Sequence, residues 1–256
     1  MDGRVWILGV PFDPVDLRGA VEACVRMVAD GRPHLAVTAN PEAVVRAQDD
    51  PEFAEVLRRA DLVVADGIGV VWASRRLGRP LPVRVPGIEL MEALCARAAH
   101  EGLRVFLLGG SEGVAEQAAQ TLMRRHPGLC IAGTHHGYFT EDEPVVDRIA
   151  GARADLLFAG MGMPRQEKWL SRHLSDLGVR LAMGVGGSLD VLAGRVRRAP
   201  GFVQRVHLEW LYRLLREPRR WRRQLALVRF VWAVLRTGEE KIGGGRNTNT
   251  RHGARG

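Results

Sequence analysis

No apolar run in this chain of 256 residues approaches the ~20 needed to cross a bilayer. The longest candidate, Leu225 to Leu235, is interrupted by Arg229. The opening MDGRVWILGVPFDP has too short an apolar run for a secretory leader and meets Pro11 at once. Cysteine is scarce: Cys24, Cys95 and Cys130 are odd in number, far apart and without zinc spacing. All three read as buried thiols in a reducing compartment. No D-x-D occurs, so the chain lacks the carboxylate pair that commonly fixes a divalent ion on a diphosphate. No G-x-G-x-x-G follows the first strand, which runs instead into Val10-Pro11-Phe12-Asp13-Pro14. That argues against a nicotinamide-dependent oxidoreductase.

Acidic residues are also scarce in one region. Arg195 to Arg236 holds twelve arginines against Glu209 and Glu217, a net charge of +10 in a chain of +8. The 194 residues before it sum to −4. An acidic body with a basic C-terminal segment points to an anionic partner for that segment: a membrane, a nucleic acid or phosphates.

The apolar share, 46%, is that of a globular protein. Near-continuous apolar runs predict strands at Val5–Val10, Leu35–Thr38, Leu62–Ala65, Arg104–Leu108, Cys130–Gly133, Leu156–Ala159 and Leu181–Gly184. Helical spacing fills the gaps at Asp16–Ala29, Pro51–Ala60, Ile88–His100, Gly113–His126, Glu143–Ala152 and Arg165–Leu177. Ser111, and Thr140 with Glu143, have the pattern of helix starts. The alternation implies an α/β fold, Rossmann-like, with a largely parallel sheet flanked by helices. Ligands then belong at the carboxyl ends of the strands.

After Gly194 the pattern changes. One helix carries Phe202, Val206, Trp210 and Leu214 up to Pro218. A second aligns Trp221, Leu225, Val228, Trp232 and Leu235 on one stripe, with arginines on its other faces. The expected organisation is an α/β catalytic domain over 1–194, a basic helical appendage over 195–236 and a disordered tail over 237–256. The appendage could seat the chain on a membrane, bind nucleic acid, or simply pack on the body with a solvated basic face. Its apolar stripes suit the first and third better than the second.

Polar residues and glycines cluster where strands end: Thr38-Ala39-Asn40, Asp66-Gly67, Gly109-Gly110-Ser111, Gly160 to Glu167, and Gly184 to Asp190. Together they suggest one pocket for a phosphate-bearing ligand. Asp66, at the mouth of a buried strand, suits general-base work; its alternative is an N-cap for a helix over Ile68–Leu77. Arg84, bracketed by Pro82 and Pro86, reads as a phosphate contact or as a solvated loop residue. His135-His136 lacks carboxylates at metal spacing and reads as a polar loop pair.

Six strings in order carry a resemblance: TANPEAV, ADGIGVVWASRRLGRPLPVRVPGIEL, FLLGGSEGVAE, GMGMPRQEKW, GVGGSLDVLAGRVRRAP and LEWLYRLLREPRRWRR. They cover most of Thr38 to Arg223, and the chain resembles the WecG/TagA/CpsF family of bacterial glycosyltransferases. The resemblance implies an inverting hexosyltransferase that needs neither metal nor cofactor. It implies transfer of N-acetylmannosamine, or a related hexose, from a UDP-sugar to a polyprenyl-diphosphate-linked GlcNAc in teichoic acid or surface polysaccharide synthesis. By motif, Asp66 is the base. Thr38, Asn40, Gly109, Gln166, Gly187 and Asp190 line the donor pocket, and Arg84 contacts phosphate or acceptor. Arg213, Arg219, Arg220, Arg222 and Arg223 close on the diphosphate. A cytoplasmic enzyme, peripheral on the inner face of the plasma membrane, is expected, with an anionic membrane surface as partner and no nucleic acid.

Overall fold

The first apolar run folds back on itself instead of joining the main sheet. Val5–Ile7 (β1) and Val10–Phe12 (β2) pair antiparallel, with Trp6 opposite Pro11. The turn is Leu8-Gly9, with φ of 48° and 81°. Positive φ at both central positions matches the twist of two strands joined by a two-residue turn. A single strand over Val5–Val10 was expected; the Leu8-Gly9 turn divides it. This fold is that of a computed structural model, which describes residues 3–196, Pro200 and 221–243, with side chains of the last helix described from Leu225 to Thr237.

The other six expected runs all become strands of one sheet. They are His34–Ala39 (β3), Leu62–Ala65 (β4), Arg104–Gly109 (β5), Cys130–His135 (β6), Leu156–Gly160 (β7) and Leu181–Gly184 (β8). The order is β4-β3-β8-β7-β5-β6, and every pairing is parallel. Helices flank it: Leu17–Ala29 (α1), Pro41–Asp49 (α2), Pro51–Arg59 (α3), Ile68–Arg76 (α4), Gly87–Glu101 (α5), Val114–Arg125 (α6), Glu143–Ala152 (α7), Arg165–His173 (α8), Ser188–Leu192 (α9) and Trp221–Gly243 (α10). Helix α2 was not anticipated. Its signals are Asn40 as N-cap, Pro41 at the first position and Glu42 in the first turn. Neither Ser111 nor Thr140 caps a helix: α6 starts after Gly113 and α7 after Asp142, both without a side-chain cap.

Two cores lie on opposite faces of the sheet, as a parallel sheet requires. One gathers the β1–β2 hairpin with α2, α3, α4, α7, α8 and α10. The other gathers α1, α5, α6 and α9. After β5 the chain leaves through α6 on the second face, and after β7 through α8 on the first. A crevice therefore opens between the carboxyl ends of β5 and β7.

Helix α10 shares the first core. Phe230 and Val234 are fully buried there, and α10 lies against α2 and α4. Each such burial contributes about 1.5–3 kcal/mol. Arg229 fastens the contact by a paired bond to Asp49, at 2.9 and 3.1 Å. The expected stripe faces outward: Leu225, Val228, Trp232 and Leu235 are 52, 67, 59 and 37% exposed. The helix is thus apolar on two faces. It also runs past Arg236 to Gly243, into the segment expected to be disordered. Among the described residues no helix is long and apolar enough to cross a membrane.

The thiols divide. Cys24 and Cys95 are buried, and burial pushes both pKa values up to about 12. Cys130, expected inside, is exposed at the start of edge strand β6.

Candidate active site

Strands β3 and β4 end side by side, with Thr38 opposite Val64 and Ala39 opposite Ala65. The next residue after each pair carries chemistry. Asp66 donates its N–H to Ala39 O at 2.9 Å, which extends the ladder by one step and holds its half-buried side chain at the rim. The alternative role for Asp66, capping α4, is not taken up. The N-cap is Gly67, and no side chain caps that helix.

The Pro82–Gly87 segment is stitched to the same place. Val85 N–H donates to Ala65 O at 2.7 Å, and Gly87 N–H reaches Asp66 Oδ2 at 3.4 Å. Half-buried Arg84 is thereby carried alongside the end of β4. Gly87 opens α5 and is seated against Thr38: a β-carbon there would stand 2.9 Å from Thr38 Oγ1. Thr38, Asp66, Gly87 and the Arg84 loop thus form one group. Gly87 was missed as a site residue, although it closes the string that contains Arg84.

Asn40 adopts the extended backbone expected before Pro41, with φ −108° and ψ 177°. Its Oδ1 accepts from Ala43 N–H at 2.9 Å, capping α2. Its amide nitrogen and the second lone pair of Oδ1 remain for a ligand. The first turns of α2 and α4 meet closely: a β-carbon on Gly69 would stand 2.8 Å from Pro41 Cγ. The N-termini of α2, α4 and α5 converge near Asp66, and their summed dipoles favour negative charge there.

The other half of the site is nearly all backbone. Gly109 has φ 144°, and a β-carbon would strike Gly160 O at 2.4 Å. On Gly160 it would stand 2.7 Å from Gly186 O, and on Gly137 3.1 Å from Gly109 Cα. Glycine by glycine, the ends of β6, β5, β7 and β8 close into a floor without side chains. Gly187 is exposed with open space above it, and half-buried Asp190 follows in α9. Such a floor lets a ligand approach the backbone closely, while the Gly110, Gly137, Gly162 and Gly186 N–H groups are themselves bonded within the protein.

Gln166 sits beneath that floor, 4% exposed. Its Oε1 accepts from Gly162 N–H and Gly186 N–H, both at 3.1 Å, and its Nε2 donates to Glu167 Oε1 at 2.7 Å. It braces two loops rather than presenting its amide oxygen to the pocket. Glu167, 3% exposed, was not singled out from the sequence. Burial pushes its pKa up to about 7. His135 and His136 stack 4.4 Å apart at the end of β6, and Phe139 beside them carries the Arg165 guanidinium 5.1 Å over its ring. Arg213, Arg219 and Arg220 lie outside the described residues. Arg222 and Arg223 fall in the first turn of α10, where side chains are not described.

The model of the WecG/TagA/CpsF glycosyl transferase family matches residues 5–242. Among curated proteins, an N-acetylglucosaminyldiphosphoundecaprenol N-acetyl-β-D-mannosaminyltransferase of Staphylococcus aureus strain MRSA252 is 41% identical over 235 residues, 90% of this chain and 92% of its own. One of the same name from Bacillus spizizenii is 41% identical over 200 residues, 78% of each chain.

Proposed function

This chain belongs to the WecG/TagA/CpsF family of glycosyl transferases, and on that footing we propose that it transfers N-acetylmannosamine from a UDP-sugar to a GlcNAc-diphosphoundecaprenol acceptor, inverting the anomeric carbon, as a step of teichoic acid or surface polysaccharide synthesis. The sugar and the acceptor follow the name of its relatives. The observation that carries the reading is Asp66: a half-buried carboxylate at a strand mouth, not used as a helix cap, facing Gly87 beside Thr38 and the Arg84 loop.

The chemistry follows from that arrangement. Asp66 accepts the proton of an acceptor sugar hydroxyl, whose oxygen attacks the anomeric carbon while the diphosphate leaves from the opposite side. One carboxylate suffices for a single displacement. Charge grows on the departing diphosphate, so Arg84 and the positive ends of the helices that start at the strand ends stabilise the transition state more than the bound donor. Arg222 and Arg223, with Arg213, Arg219 and Arg220, add positive charge from the C-terminal segment. A UDP donor agrees with a floor built for close approach of phosphate oxygens.

A lipid acceptor calls for a membrane surface, and we infer that α10 docks on it. Leu225, Val228, Trp232 and Leu235 form an outward stripe in the segment of charge +10, with the Arg236 guanidinium 4.5 Å over the Trp232 ring. An apolar stripe within a basic helix suits the interface of an anionic bilayer, here the cytoplasmic leaflet. The same stripe disfavours nucleic acid as the partner.

The test is a panel of UDP-sugars offered with a short-chain GlcNAc-diphosphate lipid, with the product identified by mass. UDP-N-acetylmannosamine should yield the β-linked disaccharide lipid. No transfer from any UDP-hexosamine would end the reading. Flotation with anionic vesicles checks the surface. Val228→Ser with Trp232→Ser should abolish flotation and leave turnover of a soluble acceptor intact. Undiminished flotation would remove α10 as the docking face.

A further inference from the structure

Two consecutive side chains in the first turn of α8, Gln166 and Glu167, are buried together. Both lie against Gly184, the last residue of β8. A β-carbon there would stand 2.7 Å from Gln166 Nε2 and 2.9 Å from Glu167 Oε1. Gly184 is therefore the seat into which both polar groups fold.

The hydrogen bonds fix the amide of Gln166 in one sense. Its oxygen faces two main-chain donors, Gly162 N–H and Gly186 N–H. Its nitrogen faces the Glu167 oxygen at 2.7 Å. A rotated amide would set its NH₂ against two N–H groups and its oxygen against a carboxyl oxygen. That arrangement loses all three bonds and adds repulsion. Glu167 thus supplies the acceptor that makes the observed rotamer the only favourable one. Its second oxygen, Oε2, is buried without a hydrogen-bond partner. A carboxyl so enclosed is costly, which argues for a task at its bonded oxygen.

We propose that Glu167 is a positioning residue for donor binding: it orients the Gln166 amide, which ties the turn after β7 to the turn after β8 and so sets the glycine floor on which the donor diphosphate rests. This rests on the transferase reading above. The two tied turns flank Gly160 and Gly187, whereas Asp66 follows the edge strand β4, which β3 separates from β8. A fault in the brace therefore reaches the donor before it reaches the base or the acceptor.

Three substitutions separate acceptor, charge and shape. Glu167→Gln keeps an oxygen for Gln166 Nε2. Glu167→Met keeps the bulk without it. Glu167→Asp keeps the charge but withdraws the oxygen by one carbon. The Met and Asp variants should raise the KM for the UDP-sugar roughly tenfold, as expected for one lost buried hydrogen bond, with the acceptor KM unchanged. The Gln variant should restore the wild-type donor KM. A wild-type donor KM in Glu167→Asp, or equal damage in the Gln and Met variants, overturns the proposal. A second readout needs no turnover: the amide protons of Gly162 and Gly186 should exchange faster, together, in Glu167→Asp than in wild type. Unchanged exchange at both glycines overturns the brace even in an active enzyme. Faster exchange in a protein that transfers no UDP-sugar would leave the brace standing and remove the substrate assignment instead.

Discussion

The two ends of the parallel sheet are built from opposite materials. At the amino ends, carboxylates are spent on the backbone. Asp13 accepts Val63 N–H at 2.8 Å and returns its own N–H to Val63 O, covering part of edge strand β4. Asp61 accepts Leu35 N–H, and Asp155 accepts Arg104 N–H, each at 2.9 Å. Arg4 binds Asp13 and the carbonyl oxygens of Ala60 and Asp61. His34 lies between Asp30 and Asp61, at 2.9 and 3.1 Å. At the carboxyl ends, glycines replace these clasps, and Asp66 takes a long 3.4 Å contact from Gly87 N–H. One end is fastened by carboxylates; the other is closed by glycine backbone and the Gln166 amide, at a rim that holds an acid. An aspartate beside a parallel strand is therefore ambiguous by composition and is decided by which end it occupies.

Replacing one aspartate at each end tests the contrast most sharply. Asp66→Asn should lower turnover about 10²–10⁴-fold, the range of a lost general base, with an unchanged melting temperature. A folded variant with wild-type turnover would remove Asp66 as base. A collapsed melting temperature would make it one more fastener. Asp13→Ala should do the reverse. Losing the partner of Val63 N–H and of Arg4 should cost about 1–3 kcal/mol in urea unfolding, while kcat stays put. A drop in kcat larger than the drop in stability would blur the two ends.

A smaller effect is expected at His34. Its carboxylate partners raise its pKa above the ordinary value against the opposing pull of burial. The folded state therefore binds the proton more tightly than the unfolded chain. The stability this contributes is present in full below the unfolded pKa, about 6.5, and is lost as pH rises through the folded value. His34→Asn should flatten the urea midpoint across that window; an equally steep profile in the variant would assign the dependence elsewhere. The smallest expected effect is none at all. If helix N-termini and arginine serve the diphosphate, turnover in excess EDTA should equal that of untreated enzyme. Loss on chelation with recovery on added magnesium or manganese would mean that carboxylates work at this end too.

The sheet was legible because five of its six strands are buried almost throughout and read as unbroken apolar runs, the partly exposed edge strand β6 being the exception. The hairpin was not, because Leu8 and Gly9 interrupt Val5–Val10 without a polar residue to mark the turn. Helix α2 was hidden by its own start: Asn40-Pro41-Glu42 was read for chemistry, and the same three residues also nucleate a helix. The segments of Thr38, Asp66 and Arg84, picked out by their places after apolar runs or between prolines, are brought together by backbone bonds. Glu167 was not legible. A glutamate in the first turn of a helix ordinarily faces water, and only the absent side chain of Gly184, distant in the chain, makes room for it inside. The stripe on α10 was recognised as a stripe, but spacing alone does not say which of two apolar faces turns inward.

Helix α10 also sets an order of events. Phe230 and Val234 complete a core whose other walls come from residues far earlier in the chain. During synthesis α2 emerges long before they do, so its apolar flank is left uncovered through most of translation. Maturation of the fold is thus deferred to the arrival of the segment that also carries the outward stripe. A nascent chain lacking that segment would keep the apolar flank of α2 open, a feature that chaperones and proteases detect.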